Sequence, residues 1–401
     1  MILKDSLEKK LVEINEALDV HAKDFGSVGL LTGLPGVILF KLYYAQYCDE
    51  EQYAEEAYEL IQECFEKFHT HQLLLTYCDG VAGFGWVMEH LVENDFLDAD
   101  NDMLFSDLDT VLYDQMVKNL EERNYDFFHG AMGYAIYFLS RYKGTTNTEF
   151  KKKYTDYLHY YIDKMIEISV LDEKGYRKWI SVVDVNDPKE VYNLSLSHGI
   201  ASVLGFFTRL AQQDEFQSKS EPIVKDIIDY LLSTENKDLI CFFPGYIYKD
   251  GKADAISRLA WCYGDLGIGL QLLRASDYLK DDDLKEKAIT VLKASTERKS
   301  SEETYVVDAS ICHGSFGIAQ IYRKLFIELK DPIFKTTADF WLQDGLERAF
   351  HEEGFAGYSQ RQQDHWENQI GLLEGVSGIG LVIIDYLSEE THTWDEAFMI
   401  S

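Results

Sequence analysis

Two cysteines, Cys262 and Cys312, each stand two residues ahead of a glycine, and the second is followed at once by His313. Two thiolates and an imidazole make a zinc set, and three ligands leave the fourth tetrahedral position open, as catalytic zinc requires. A centre of this kind carries no formal charge, so it activates water weakly and is better suited to holding a third thiolate. It would bring a bound thiol from a pKa of about 8.5 to below neutral while leaving the sulfur nucleophilic. For either cysteine alone, core packing is the simpler explanation. The shared offset and the adjoining histidine argue for the metal.

A thiolate needs an electrophile, and its attack creates an anion that an acid must protonate. His198, one residue before Gly199, is the candidate acid, because imidazole exchanges protons near neutral pH. Asp126, four before Gly130, is placed to orient or charge it, with helix capping as the alternative. Arg258 and Tyr263 are candidates to steady an oxyanion; a surface ion pair and wall packing are their plainer roles. His129 competes with His198 for the acid/base work.

These residues are positioned by a repeat. Seven small-residue pairs, Gly33/Gly36, Gly80/Gly83, Gly130/Gly133, Gly199/Ser202, Gly264/Gly267, Gly314/Gly317 and Gly375/Gly378, each precede an apolar run. Their first glycines lie 47, 50, 69, 65, 50 and 61 residues apart, room for one helical hairpin per repeat. Charge-laced amphipathic segments at 5–23, 51–69, 104–122, 148–169, 218–234, 282–298 and 334–350 alternate with these apolar runs. Amphipathic helices lie outside and all-round apolar ones inside. The terminal repeats are as apolar as the central ones, which favours a closed ring over an open solenoid. The expected fold is all-α, a single 1–401 domain forming an α/α toroid of seven outer and seven inner helices. Small β or loop insertions are expected at about 170–192 and 236–256, over one mouth.

The repeat also serves as a ruler. One residue before each first glycine stand Thr32, Asp79, His129, His198, Tyr263, His313 and Glu374, an unbroken polar row predicted to line the mouth. Two before it stand Leu31, Cys78, Phe128, Ser197, Cys262, Cys312 and Leu373. Cys262 and Cys312 fall in adjacent repeats; Cys78 falls in a distant one and is not counted as a ligand. The converging helix starts, each with a partial positive charge, predict an electropositive bowl suited to a thiolate or enolate.

Composition narrows the partners. With 38 Lys and Arg against 70 Asp and Glu, the formal charge is -32, which repels phosphate backbones and anionic lipid. Nucleic acid is therefore excluded as a partner. Residues 1–24 hold no apolar core of signal-peptide length, and no stretch approaches the roughly 20 apolar residues of a membrane span. A cytoplasmic protein that is not an integral membrane protein is expected, and its six cysteines do not read as a disulfide framework.

The segments 257–267, reading Ser-Arg-Leu-Ala-Trp-Cys-Tyr-Gly-Asp-Leu-Gly, 311–317, reading Ile-Cys-His-Gly-Ser-Phe-Gly, 196–199 and 373–378 together resemble the lanthionine synthetase C-like family of lanthipeptide cyclases. The likeness runs through all seven repeats. It implies an α/α toroid with one zinc ion per chain on Cys262, Cys312 and His313 and no other cofactor. The implied reaction is Michael-type addition of a peptide cysteine to dehydroalanine or dehydrobutyrine, giving lanthionine or methyllanthionine thioethers. His198, Asp126, Arg258 and Tyr263 match the family's acid/base histidine, its aspartate, the arginine before the Trp-Cys-Tyr-Gly motif and the tyrosine after the zinc cysteine. The implied partner is a dehydrated precursor peptide, with a dehydratase and a transporter as further candidates. His129 departs from the family pattern. Three other readings remain open: a glutathione-adding member of the family, a carbohydrate-processing toroid using carboxylates such as Asp79 and Glu374, and a metal-free helical scaffold.

Overall fold

The structure is a computed structural model that describes residues 2–70, 73–183, 189–236, 240–388 and 391–401. Residues 184–188 and 237–239 of the two expected insertions lie outside the described residues. Helices alternate along the chain as the polar pattern predicts. In order they are α1 (Ile2–His21), α2 (Leu34–Cys48), α3 (Glu51–Thr70), α4 (Val81–Glu93), α5 (Asn101–Glu121), α6 (Ala131–Gly144), α7 (Thr148–Ile168) and α8 (Ile200–Ala211). There follow α9 (Asp214–Ser233), α10 (Asp265–Leu279), α11 (Asp282–Ser295), the single turn α12 (Ser301–Thr304), α13 (Ser315–Leu329), α14 (Pro332–Glu347) and α15 (Val376–Ser388). Without α12 these make seven outer and seven inner helices.

The two sets start differently. Outer helices carry short polar caps: Asp100, Asn147, Asp281 and Asp331 each accept a first-turn N–H, satisfying donors that a helix end leaves orphaned. The inner helices α2, α4, α6, α8, α10 and α13 begin at the first glycine with no side-chain cap. There the preceding loop folds back and supplies backbone carbonyls instead. Leu34 N bonds Ser27 O, Val81 N bonds Leu74 O, Ala131 N bonds Asn124 O, Ser315 N bonds Asp308 O and Val376 N bonds Gln369 O, at 3.0–3.2 Å. Part of the donor set expected to face an electropositive bowl is therefore spent on the chain itself.

The chain divides into two compact units, Met1–Ala99 with Val306–Ser401, and Asp100–Tyr305. In the first, α2 hairpins onto α3 and α13 onto α14, and α15 packs against both α1 and α2. The seventh repeat thus meets the first, which is what a ring requires. A two-stranded ribbon, β6 (Gln360–Arg361) with β7 (Trp366–Glu367), precedes α15. In the second unit α8 pairs with α9, α10 with α11, and α8 with α10. Its extra material includes β1 (Val170–Leu171) with β2 (Arg177–Lys178), and a three-stranded antiparallel sheet of β3 (Ser181–Val183), β4 (Lys189–Asn193) and β5 (Tyr246–Tyr248).

Gly83 shows what the small pair does. A Cβ there would lie 2.0 Å from the Tyr77 carbonyl oxygen and 2.6 Å from Leu30 Cβ of the preceding repeat. The nearest obstacle is the residue's own loop, with the neighbouring repeat second, so close approach of converging helices is only half the reason for the glycine. Gly264 carries a second constraint, a φ of +88°, which L side chains rarely adopt.

Candidate functional site

The fold-back that starts each inner helix also sets the polar row. Four residues before the glycine, Thr76, Asp126, Ser195 and Ser310 each accept the N–H of the row residue three positions on. These bonds run from Asp79 (3.1 Å), His129 (2.8 Å), His198 (3.0 Å) and His313 (3.5 Å). Each row residue reaches solvent while its neighbours in the turn are mostly buried. The preceding row, which holds the cysteines, is tied from repeat to repeat by backbone bonds. In the first unit Cys312 N donates to Leu373 O, Leu373 N to Leu31 O and Leu31 N to Cys78 O, at 3.0–3.1 Å. In the second, Leu196 and Ser197 both donate to the carbonyl of Cys262.

In the first unit Cys312 and His313 are half-buried on the turn before α13. His313 Nε2 lies 3.1 Å from Oδ2 of Asp308, so Nδ1 is the ring nitrogen that would face a metal. Asp308 is buried and also accepts the N–H groups of Ser310 (3.0 Å) and Arg361 (3.2 Å). Burial pushes its pKa up; the His313 hydrogen bond and the backbone donors outweigh that and bring it to about 2. A thiol and an imidazole braced by a carboxylate are suitable donors for zinc.

In the second unit Cys262 is buried before α10. His198 Nδ1 lies 2.6 Å from Asp126 Oδ2, and the His198 ring takes the edge of Phe128 at 5.1 Å. Phe128 in turn stacks on Trp261, the residue before Cys262, at 5.8 Å. Burial pulls the His198 pKa down, but the Asp126 hydrogen bond and charge, helped by Cys262, hold it above the ordinary imidazole value. Burial would raise Asp126, and the His198 bond and the His129 N–H hold it below the usual carboxylate range instead. Asp126 is not the cap of α6, which starts at Gly130. One of its oxygens accepts the N–H groups of Phe128 and His129 while the other takes His198.

Tyr263 is half-buried before α10. Its hydroxyl lies 2.7 Å from that of Tyr246 on β5 and 3.4 Å from Asn193 Nδ2 at the end of β4. The small sheet therefore reaches the site through these two residues, which the sequence did not single out. Arg258 is half-buried and makes no ion pair with any described residue. His129 is exposed, and its backbone N–H donates to Asp126. Asp308, Asn193 and Arg258 all stand six residues before a first glycine. That shared offset was the available signal.

Solved structures define the class as an α/α toroid. Nisin cyclase superposes with a TM-score of 0.71 at 20% identity, covering 99% of this chain and 97% of that one. An α-mannanase of Bacteroides thetaiotaomicron shares the fold with a TM-score of 0.50 at 12% identity, covering 95% and 96%. The family model described as lanthionine synthetase C-like protein matches residues 24–399, so the chain belongs to that family. Nisin biosynthesis protein NisC of Lactococcus lactis subsp. lactis is 24% identical over 428 residues, 99% of this chain and 95% of that protein. No helix among the described residues is long and apolar enough to cross a membrane.

Proposed function

We propose that this protein is a zinc-dependent lanthipeptide cyclase, a single domain that joins a peptide cysteine to a dehydroalanine or dehydrobutyrine of a dehydrated precursor peptide. The observation that carries the reading is the His198–Asp126 pair, with His198 directly following the Leu196–Ser197 backbone that bonds the Cys262 carbonyl. Family membership and the nisin relatives support it. Zinc would be held by Cys262, Cys312 and His313. Bound there, it would lower the pKa of a substrate thiol and keep its sulfur nucleophilic.

The reaction adds sulfur to the β-carbon of the dehydro residue. The C=C electron pair moves onto the α-carbon and its carbonyl as an enolate, and the thiol's proton is released. His198, held protonated by Asp126, delivers a proton to the α-carbon. Tyr263 and Arg258 are suited to the enolate oxygen: a phenol donates a hydrogen bond, and a guanidinium supplies charge. A carbohydrate-processing role gives two cysteines and a histidine nothing to do.

Incubating the zinc-loaded protein with a dehydrated, cysteine-containing precursor tests the reading. Alkylatable thiol should disappear with no change in peptide mass. A gain of one glutathione mass when glutathione is supplied would point to the small-thiol reaction, and absence of both products would defeat the cyclase reading.

A further inference from the structure

The buried carboxylate of Asp308 makes three polar contacts within its own unit. Two are with backbone N–H groups, from Ser310 in the turn carrying His313 and from Arg361 at the end of β6. The third is with the His313 ring nitrogen Nε2, 3.1 Å away. The backbone bonds pin both carboxylate oxygens, one to the turn and one to the ribbon, so the aspartate cannot follow the imidazole if that ring rotates. An imidazole donating from one nitrogen to a fixed carboxylate has its lone pair on the other, and the carboxylate increases its strength as a ligand.

We propose that Asp308 is the positioning residue of the metal centre: it fixes His313 as the Nε2–H tautomer and directs Nδ1 to zinc. This rests on the cyclase reading only for the identity of the metal. Through the Arg361 N–H, the same carboxylate ties the β6–β7 ribbon to the turn that carries His313.

Two experiments test it without relying on turnover. In the zinc-loaded wild-type protein, selective ¹⁵N-histidine labelling should show His313, assigned through His313→Ala, with a protonated Nε2 and a metal-shifted Nδ1. Metal on Nε2 would overturn the proposal with no variant needed. In chelator competition, Asp308→Asn should bind zinc about 10- to 100-fold more weakly than wild type. The cobalt-substituted variant should keep its thiolate charge-transfer band while its ligand-field bands shift. Far-UV circular dichroism shows whether the variant is folded; zinc affinity and cobalt spectrum matching wild type in a folded variant would sink the proposal. A wild-type protein that binds no zinc is a different result and defeats the cyclase reading instead.

Discussion

His198 Nδ1 and Asp126 Oδ2 lie 2.6 Å apart although 72 residues separate them in sequence. Each sits in the turn that starts an inner helix, and the two turns belong to consecutive repeats. The pair leaves His198 Nε2 as its proton-transferring nitrogen, and the carboxylate favours the charged imidazolium. Replacing His198 with Ala should lower turnover by about 10²–10⁴-fold, the usual share of a general acid, with zinc content unchanged. Loss of zinc along with turnover would show a structural role instead.

The same pair sets a pH dependence. The folded pKa of His198 is raised above 6.5, the net of burial lowering it and Asp126 raising it more. The acid form is the active one, so turnover should hold at low pH and fall as pH rises through that raised value. Asp126→Asn removes the raising charge, and its alkaline limb should move toward lower pH. A pH–rate profile in which the limb stays in place, or moves up, contradicts the assignment.

Zinc content separates an enzyme from a scaffold. Cys262→Ala and Cys312→Ala should each abolish stoichiometric zinc, because two remaining donors hold the ion poorly. Cys48→Ala, at a half-buried cysteine outside the two donor turns, should retain it. Metal analysis of the three purified variants is the measurement; retention of full zinc by either donor variant would remove that residue from the ligand set.

Much of this was legible because one local cause repeats. The first glycine of each pair is demanded by a loop folding back on its own helix, so it recurs at every turn and reveals both helix and register. Cys262, Cys312 and His313 could then be compared by offset alone. The six-before position gave a weaker clue, since it holds Ser27, Leu74, Asn124, Asn193, Arg258, Asp308 and Gln369, and only asparagine recurs. Only the folded turn shows that a side chain there can reach the polar row, which is why Asp308 and Asn193 were missed. Asp126 looked ambiguous between cap and catalyst because one oxygen takes turn N–H groups just ahead of the helix while the other takes His198. Tyr246 was hidden for another reason: its reach to Tyr263 depends on β5 pairing with β4, a contact between segments far apart in the chain.

The glycine rule can be tested on its own. Gly83→Ala sets a methyl against a backbone carbonyl 2.0 Å away, an obstacle that cannot rotate aside. It should cost about 3 kcal/mol or more, the upper range for overpacking, seen as a lower melting temperature. Gly26→Ala meets nothing within 4 Å and should be neutral or mildly stabilising through a less flexible unfolded chain. Equal melting temperatures for the two variants would refute the steric account.

A buried histidine remote from the row predicts how the fold fails in acid. His90 on α4 is 3% exposed, with Nε2 2.9 Å from the Tyr43 hydroxyl. Burial, with His392 nearby, lowers its pKa from 6.5 to about 3. The unfolded chain binds the proton at its ordinary value, so stability from the neutral ring is fully present above pH 6.5. It is lost as pH falls toward the folded value, at about 1.4 kcal/mol per pH unit. His90→Gln keeps a hydrogen-bonding group but removes this titration. Its stability should be lower at pH 7, and the slope of unfolding free energy against pH between 6 and 4 should be flatter by about one proton's worth. Denaturant titrations across that range decide it, and parallel slopes for wild type and variant would mean that another group carries the acid sensitivity.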